Sequence, residues 1–193
     1  MGTLKMETAL RREQIAQAAL NIVSVSGLNG LSIAAIADRV GLVPSAIYRH
    51  FKGKEEVLDA VIDLIGDRLT GNVSAIYQET SDPVERLNRL LMRHIGMIKE
   101  NQGIPRIIFS EDVYEHRPER KERVFGNVKK YLVRVSEIIR QGQEEGKIRK
   151  DADPWTLSIM FLSAGEFDVE KQGRKSWELF LDCISPANAV IEE

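Results

Sequence analysis

Apolar residues recur at helical spacing along almost the whole chain. Between Thr8 and Ser26, Ile15, Ala18, Ala19, Ile22 and Val23 fall at i, i+3, i+4, i+7 and i+8, the pattern of one helix face. Gly27 ends that helix and Asn29-Gly30 makes a turn. Ser32 is a good N-cap for a short helix to Val40, with Ile33, Ile36, Ala37 and Val40 inward. Gly41 breaks it, and Pro44 suits the first position of a helix running to Phe51. After Lys52-Gly53 a long helix is expected from Lys54 to about Glu79 on the stripe Val57, Leu58, Val61, Ile62, Ile65 and Leu69. Ser81-Asp82-Pro83 restarts the chain into a helix to about Asn101, with Leu87, Leu90, Leu91, His94, Ile95 and Ile98 on one side. A short apolar piece, Ile104 to Phe109, precedes a polar segment from Glu111 to Pro118. A long helix from Glu119 to Glu145 then stops at Gly146, and Asp153-Pro154 starts another from Trp155 to about Phe167. The last helix, Arg174 to Ile184, carries Trp177, Phe180, Leu181 and Ile184 as its stripe, and the tail beyond Ser185-Pro186 is expected to fray. No alternating run is long enough for a strand, so the class is all-α with about nine helices.

Composition narrows the class without naming a function. The 193 residues are 43% hydrophobic and 29% charged, close to the soluble globular average, which excludes disorder of the whole chain. Cys183 is the one cysteine, so an internal disulfide or zinc knuckle is excluded and a reducing, cytoplasmic setting fits; it reads as a small apolar filler. No apolar run follows Lys5, Glu7, Arg11 and Arg12, so no signal peptide is expected. The longest uncharged stretch, Gln14 to Ala37, contains Gln17, Asn21, Ser24 and Ser26 and does not suit a membrane span.

Charge changes the picture. The first 54 residues hold seven Lys and Arg against three Asp and Glu, a net of +4, which leaves −6 for the remaining 139 in a chain of net charge −2. Chance surface variation is one explanation; a basic binding head on an acidic body is the other. Ser32 to Phe51 favours the second, because two short helices joined by a glycine turn form a helix-turn-helix. Ala37 is small where the second helix crosses, Gly41 takes the positive φ of a tight turn, and Ile36, Val40, Leu42 and Ile47 fill the wedge. The second helix then offers Val43, Pro44, Ser45, Ala46, Tyr48 and Arg49, with His50 and Lys52 at its end, to a major groove about 12 Å wide.

Residues 10–58 resemble the DNA-binding domain of the tetracycline-repressor (TetR) family of bacterial regulators. The resemblance rests on Ser32, Ile36-Ala37, Gly41, Tyr48, His50-Phe51, Lys54 and Leu58 at matching spacing. It implies a three-helix DNA-binding domain over residues 1–53 and a larger helical ligand-binding and dimerisation domain over 54–193. Val43 departs from the family's Ser or Thr at the cap of the second motif helix; Pro44 partly offsets this, and Val43 is free to touch a thymine methyl. The expected DNA contacts are Ser32, Val43, Pro44, Ser45, Ala46, Tyr48, Arg49, His50, Lys52 and Lys54. Lys54 meets a phosphate from the N-terminus of the long helix, or else pairs with Glu55 or Glu56. Tyr48 and His50 bond phosphates, unless Tyr48 packs on the first helix. Ser45 and Arg49 reach base edges, unless Arg49 faces solvent or Asp38. Arg11 and Arg12 follow the DNA or lie in solvent, and Phe51 is core.

In the body the resemblance implies an effector cavity walled by Leu69, Val73, Tyr77, Leu91, His94, Ile98, Phe109, Phe125, Val128, Tyr131 and Leu132; ordinary core packing is the alternative for each. It also implies a homodimer through Trp155, Ile159, Leu162, Trp177, Phe180, Leu181 and Ile184, where the alternative is the monomer core. A metal site at Glu111, Asp112, Glu115 and His116 is set aside in favour of a solvated loop, and no metal or cofactor is expected. No Walker loop, His-Glu-x-x-His or Gly-x-Ser-x-Gly is present, so an enzyme is not expected. The reading is a ligand-released repressor binding a (pseudo)palindromic double-stranded operator as a dimer, with an unidentified small-molecule effector. The alternative is a helical small-molecule sensor or activator with weak or no operator-specific repression.

Overall fold

A computed structural model describes residues 2–115, 117–167 and 173–186. Their regular elements are all helical: α1 Gly2–Ser26, α2 Ile33–Arg39, α3 Pro44–Ile47, α4 Lys54–Glu79, α5 Pro83–Glu100, α6 Gly103–Ile108, α7 Glu111–Tyr114, α8 Pro118–Glu144, α9 Pro154–Phe167 and α10 Gly173–Ile184, with a 3₁₀ turn at Leu28–Gly30. His116 and the tail beyond Pro186 lie outside the described residues.

Local punctuation sets most boundaries. Ser32 Oγ accepts the Ala35 N–H at 3.1 Å, Asp82 Oδ1 the Glu85 N–H at 2.9 Å, and Asp153 Oδ2 the Thr156 N–H at 2.8 Å, so α2, α5 and α9 each start on a side-chain cap. Three boundaries differ from expectation. Helix α1 begins at Gly2 and not at Thr8, which puts Arg11 and Arg12 well inside it. Helix α3 is regular only over Pro44–Ile47, after which tighter bonds (Arg49 N to Ala46 O at 3.3 Å, His50 N to Ile47 O at 2.9 Å) carry the chain to Phe51. Helix α7 is an extra turn in the polar segment, with Glu111 and Asp112 at its N-terminus and only Val113 buried.

The chain forms two compact units, Met1–Arg68 with Asn101–Asn127 and Leu69–Glu100 with Val128–Glu193. Helices α4 and α8 each give their N-terminal part to the first unit and their C-terminal part to the second.

In the first unit, α1 packs on α2, the 3₁₀ turn and α6. Its Ile15, Ala19, Leu20 and Val23 are fully buried. Helix α6 comes close because residue 103 is glycine: a Cβ there would lie 2.6 Å from the Leu20 carbonyl oxygen. The Gly103 N–H donates to Ser24 Oγ at 2.7 Å, and that hydroxyl donates to Leu20 O at 3.0 Å. Arg120, 2% exposed, ties α8 and α7 to the start of α4. It donates to Asp59 Oδ1 at 2.8 Å, Val113 O at 2.9 Å and Glu55 O at 3.2 Å, and pairs with Glu55 Oε2 at 3.1 Å. A charge is buried tolerably only when its donors are taken in this way.

In the second unit, α5 packs on α9 and α10, and α9 on α10. Phe161 meets Phe180 edge-on with ring centres 5.3 Å apart. Buried Arg86 lies over the Tyr77 ring at 4.2 Å and donates to Thr80 O and Gln141 Oε1, both at 2.7 Å. Buried Gln143 donates to the carbonyls of Arg149 and Ala152, both at 2.8 Å, and so fixes the turn before α9. No helix among the described residues is long and apolar enough to cross a membrane.

Candidate nucleic-acid interface

Helices α2 and α3 meet as their small and apolar residues dictate. Ile36, Ala37 and Ile47 are buried, with Val40 and Leu42 half-buried at the rim. Gly41 sits at φ +68°, where an L side chain is strained, and the Leu42 N–H then reaches Ala37 O at 2.8 Å. That packing leaves Val43, Pro44, Ser45, Tyr48 and Arg49 exposed and Ala46 half-buried. Val43 is 63% exposed and is the N-cap of α3 without a side-chain bond, while Pro44 occupies the first turn. Tyr48 is 57% exposed and is not packed away on α1. Arg49 has no ion-pair partner among the described residues, so the alternative pairing with Asp38 is not formed. Ser32 is exposed with its hydroxyl engaged as the α2 cap. Phe51 is core, as expected.

Arg12 takes neither of the places expected for it. It donates to the His50 carbonyl, pairs with Glu56 at 3.2 Å and lies 4.0 Å from the centre of the Phe51 ring. The other Glu56 oxygen accepts the Lys52 N–H at 2.7 Å. That backbone bond, aided by Arg12, holds the Glu56 carboxyl below the usual carboxylate range. Arg12 therefore clamps α1 to the end of the reading helix and the start of α4. His50, whose carbonyl it holds, is half-buried, and its Nδ1 is enclosed without a partner among the described residues.

Lys54 follows from these contacts. Of the two carboxylates beside it, Glu55 belongs to Arg120, and Glu56 to Arg12 and the Lys52 amide. Lys54 stands exposed on the first turn of α4, and neither neighbouring carboxylate neutralises it. Arg49, Lys52 and Lys54 thus put three exposed cations within six residues, beside the helix N-terminus of α4. The clamping roles of Arg12 and Arg120 are what the sequence pattern does not give. The available signal was an arginine in register with an apolar stripe: Arg12 precedes Ile15, Ala16 and Ala19, and Arg120 precedes Val124.

Residues 15–61 match the family model for bacterial regulatory proteins of the tetR family, and residues 80–167 match the tetracyclin repressor-like C-terminal domain. The nucleoid occlusion factor SlmA of Edwardsiella ictaluri is 30% identical over 158 residues, 79% of this chain and 78% of that protein. The chain belongs to the tetR family. It is a DNA-binding regulator with a helix-turn-helix. A TetR/AcrR-family transcriptional regulator from Thermobifida fusca superposes with a TM-score of 0.69 at 27% identity, covering 89% of this chain and 97% of that one. AibR, solved in complex with isovaleryl coenzyme A and operator DNA, shares the fold with a TM-score of 0.67 at 20% identity, covering 91% of this chain and 98% of that one.

The body of this TetR-family chain sorts the remaining candidates. Leu69, Val73, Leu91, His94, Ile98, Tyr131 and Leu132 are buried in the second unit, and Tyr77 and Val128 are half-buried there. Phe109 and Phe125 belong to the first unit and are not interior: they are 65% and 61% exposed. Phe109 caps the end of α6, and Phe125 lies one residue past Val124, about 100° round the helix from the buried stripe. Of the residues expected at a dimer contact, Trp155 and Ile159 are exposed, at 38% and 45%, and Leu162, Trp177 and Leu181 are half-buried. Phe180 and Ile184 instead face the unit's own core, Phe180 against Phe161. Met160 and Leu179, not foreseen, join the exposed apolar residues of α9 and α10. Among the described residues, no three His, Cys, Asp or Glu side chains are grouped so as to hold a metal ion.

Proposed function

We propose that the chain is a dimeric repressor that reads a (pseudo)palindromic operator with residues 1–53 and is released when a small effector binds its 54–193 part. The observation that carries this reading is the group Arg49, Lys52 and Lys54, exposed beside the reading helix while the carboxylates next to Lys54 are held by Arg120 and Arg12. Lys54, Lys52, Tyr48, the outer nitrogen of His50 and the Ser32 hydroxyl hold phosphates. Val43, Pro44, Ser45, Ala46 and Arg49 meet base edges. Exposed Trp155, Ile159, Met160 and Leu179 supply apolar surface for a second copy, and two copies read two half-sites about one helical turn apart. The AibR complex, which holds both an acyl coenzyme A and operator DNA, supports pairing the two activities in one chain.

The test is in-vitro selection of bound duplexes, followed by mobility-shift titration of the selected site at 50 and 200 mM salt. Palindromic sites and a fall in affinity of roughly a hundredfold or more are expected, because phosphate contacts release counterions. Binding indifferent to both sequence and salt overturns the reading. The SlmA relatives favour a second reading, in which DNA binding serves nucleoid occlusion. Genome-wide mapping separates the two: sites clustered upstream of genes whose transcripts rise on deletion support repression, and sites without such genes support occlusion.

A further inference from the structure

Four buried side-chain polar atoms among the described residues meet no hydrogen-bonding group of the protein, and three of them belong to one pair of rings. They are Nδ1 and Nε2 of His94 on α5 and the hydroxyl of Tyr131 on α8. The rings stack with centres 5.8 Å apart and planes 22° from parallel, and the two residues are only 5% and 1% exposed. The helices around them bury aliphatic side chains: Leu91 and Ile95 flank His94, and Leu132 and Val135 follow Tyr131. Elsewhere this unit takes care of its buried polar groups, as the bonds of Arg86 and Gln143 show. A buried polar atom without a partner costs free energy that Leu or Phe at the same positions would avoid.

We infer that His94 and Tyr131 are the polar anchor of a small-molecule site that takes an uncharged, mainly apolar compound bearing a carbonyl oxygen. The inference rests on the reading that an effector binds the second unit, and it names that effector's chemistry. Burial holds the imidazole neutral, with its pKa pushed down to about 4, and keeps the phenol protonated. The pair therefore offers a ring N–H, a ring lone pair and an O–H, with no net charge. A carbonyl oxygen has two lone pairs and accepts both donors. A carboxylate needs a counter-charge that neither side chain supplies, and Arg86 is committed to Tyr77, Thr80 and Gln141.

The test uses the full chain and three probes of matched length: methyl nonyl ketone, undecane and decanoate. Binding is read from the rise in melting temperature across a concentration series. The ketone is expected to stabilise the wild-type protein and the other two to do so far less. Tyr131→Phe removes a single oxygen and is expected to weaken ketone binding about tenfold, as is His94→Leu. Three outcomes overturn the site: no stabilisation by the ketone, decanoate bound as tightly, or ketone binding undiminished in both variants, the sign of apolar packing or of polar atoms served by solvent. Operator release is followed in the same samples. A ketone that binds through the pair yet leaves the operator complex intact overturns the release reading and spares the site; absent binding in a protein that still holds its operator overturns the site alone.

Discussion

The charge on Lys54 is left available by arginines elsewhere. Arg12 and Arg120 engage Glu56 and Glu55, so the lysine at the head of α4 faces solvent with no neighbouring carboxylate to neutralise it. Lys54→Ala is accordingly expected to weaken binding to all duplexes about equally, while Arg49→Ala and Ser45→Ala change base preference in a selection experiment. An equal loss on every sequence from all three contradicts the assignment. His94 makes a separate prediction about stability. Its folded pKa is depressed from 6.5 to about 4, so between those values the unfolded chain binds the proton and the folded chain does not. Stability therefore falls as pH drops from about 6.5 towards 4, by up to about 3 kcal/mol from this one group. Urea unfolding of His94→Leu at pH 7, 6 and 5 is expected to show a shallower decline than wild type. At this scale Ser32, Asp153 and Gly41 were legible in the sequence because a cap or a positive φ is settled within three or four residues. Arg12 and Arg120 were not, because Glu56 lies 44 residues from the first and Glu55 lies 65 from the second.

Elements were legible in proportion to their apolar stripes. Helices α4, α5 and α8 are long enough for their periodicity to fix them, whereas α7 has one buried residue, Val113, and no period to detect. Helix α3 is shorter than the sequence pattern suggests because Tyr48, Arg49 and His50 suit an α-helix as well as the tighter turn they form. Helix α6 is held by geometry that a pattern of polar and apolar letters does not contain, the approach of Gly103 to the backbone of α1. Gly103→Ala sets a Cβ 2.6 Å from Leu20 O and 2.8 Å from Ser24 Oγ, and is expected to destabilise the protein by roughly 2–3 kcal/mol. Gly71→Ala is the control: it lies exposed in α4 with nothing within 4 Å of a Cβ, and a gain of roughly 0.5–1 kcal/mol is expected. Thermal unfolding of the two variants separates close packing from helix propensity.

At the scale of the whole molecule, near-neutral composition conceals a basic head of +4 and a body of −6. The head's motif ends near residue 53, but its compact unit runs on to residue 68 and takes in residues 101–127 as well. That return was not legible, because it depends on Gly103 and Arg120 meeting residues far earlier in the chain. The exposed apolar residues of α9 and α10 make the proposed dimer testable. Ile159→Glu combined with Leu179→Glu is expected to give a monomer in sedimentation and to lower operator affinity by tenfold or more. A dimer that survives the double change contradicts this assignment. The protein also carries its own spectroscopic reporter. Its two tryptophans, Trp155 and Trp177, both lie in α9 and α10, and Trp155 is open to solvent in the single chain. Intrinsic fluorescence therefore watches these helices with no other tryptophan in the background, and the proposed dimer predicts a red shift of the emission on simple dilution, with no label attached.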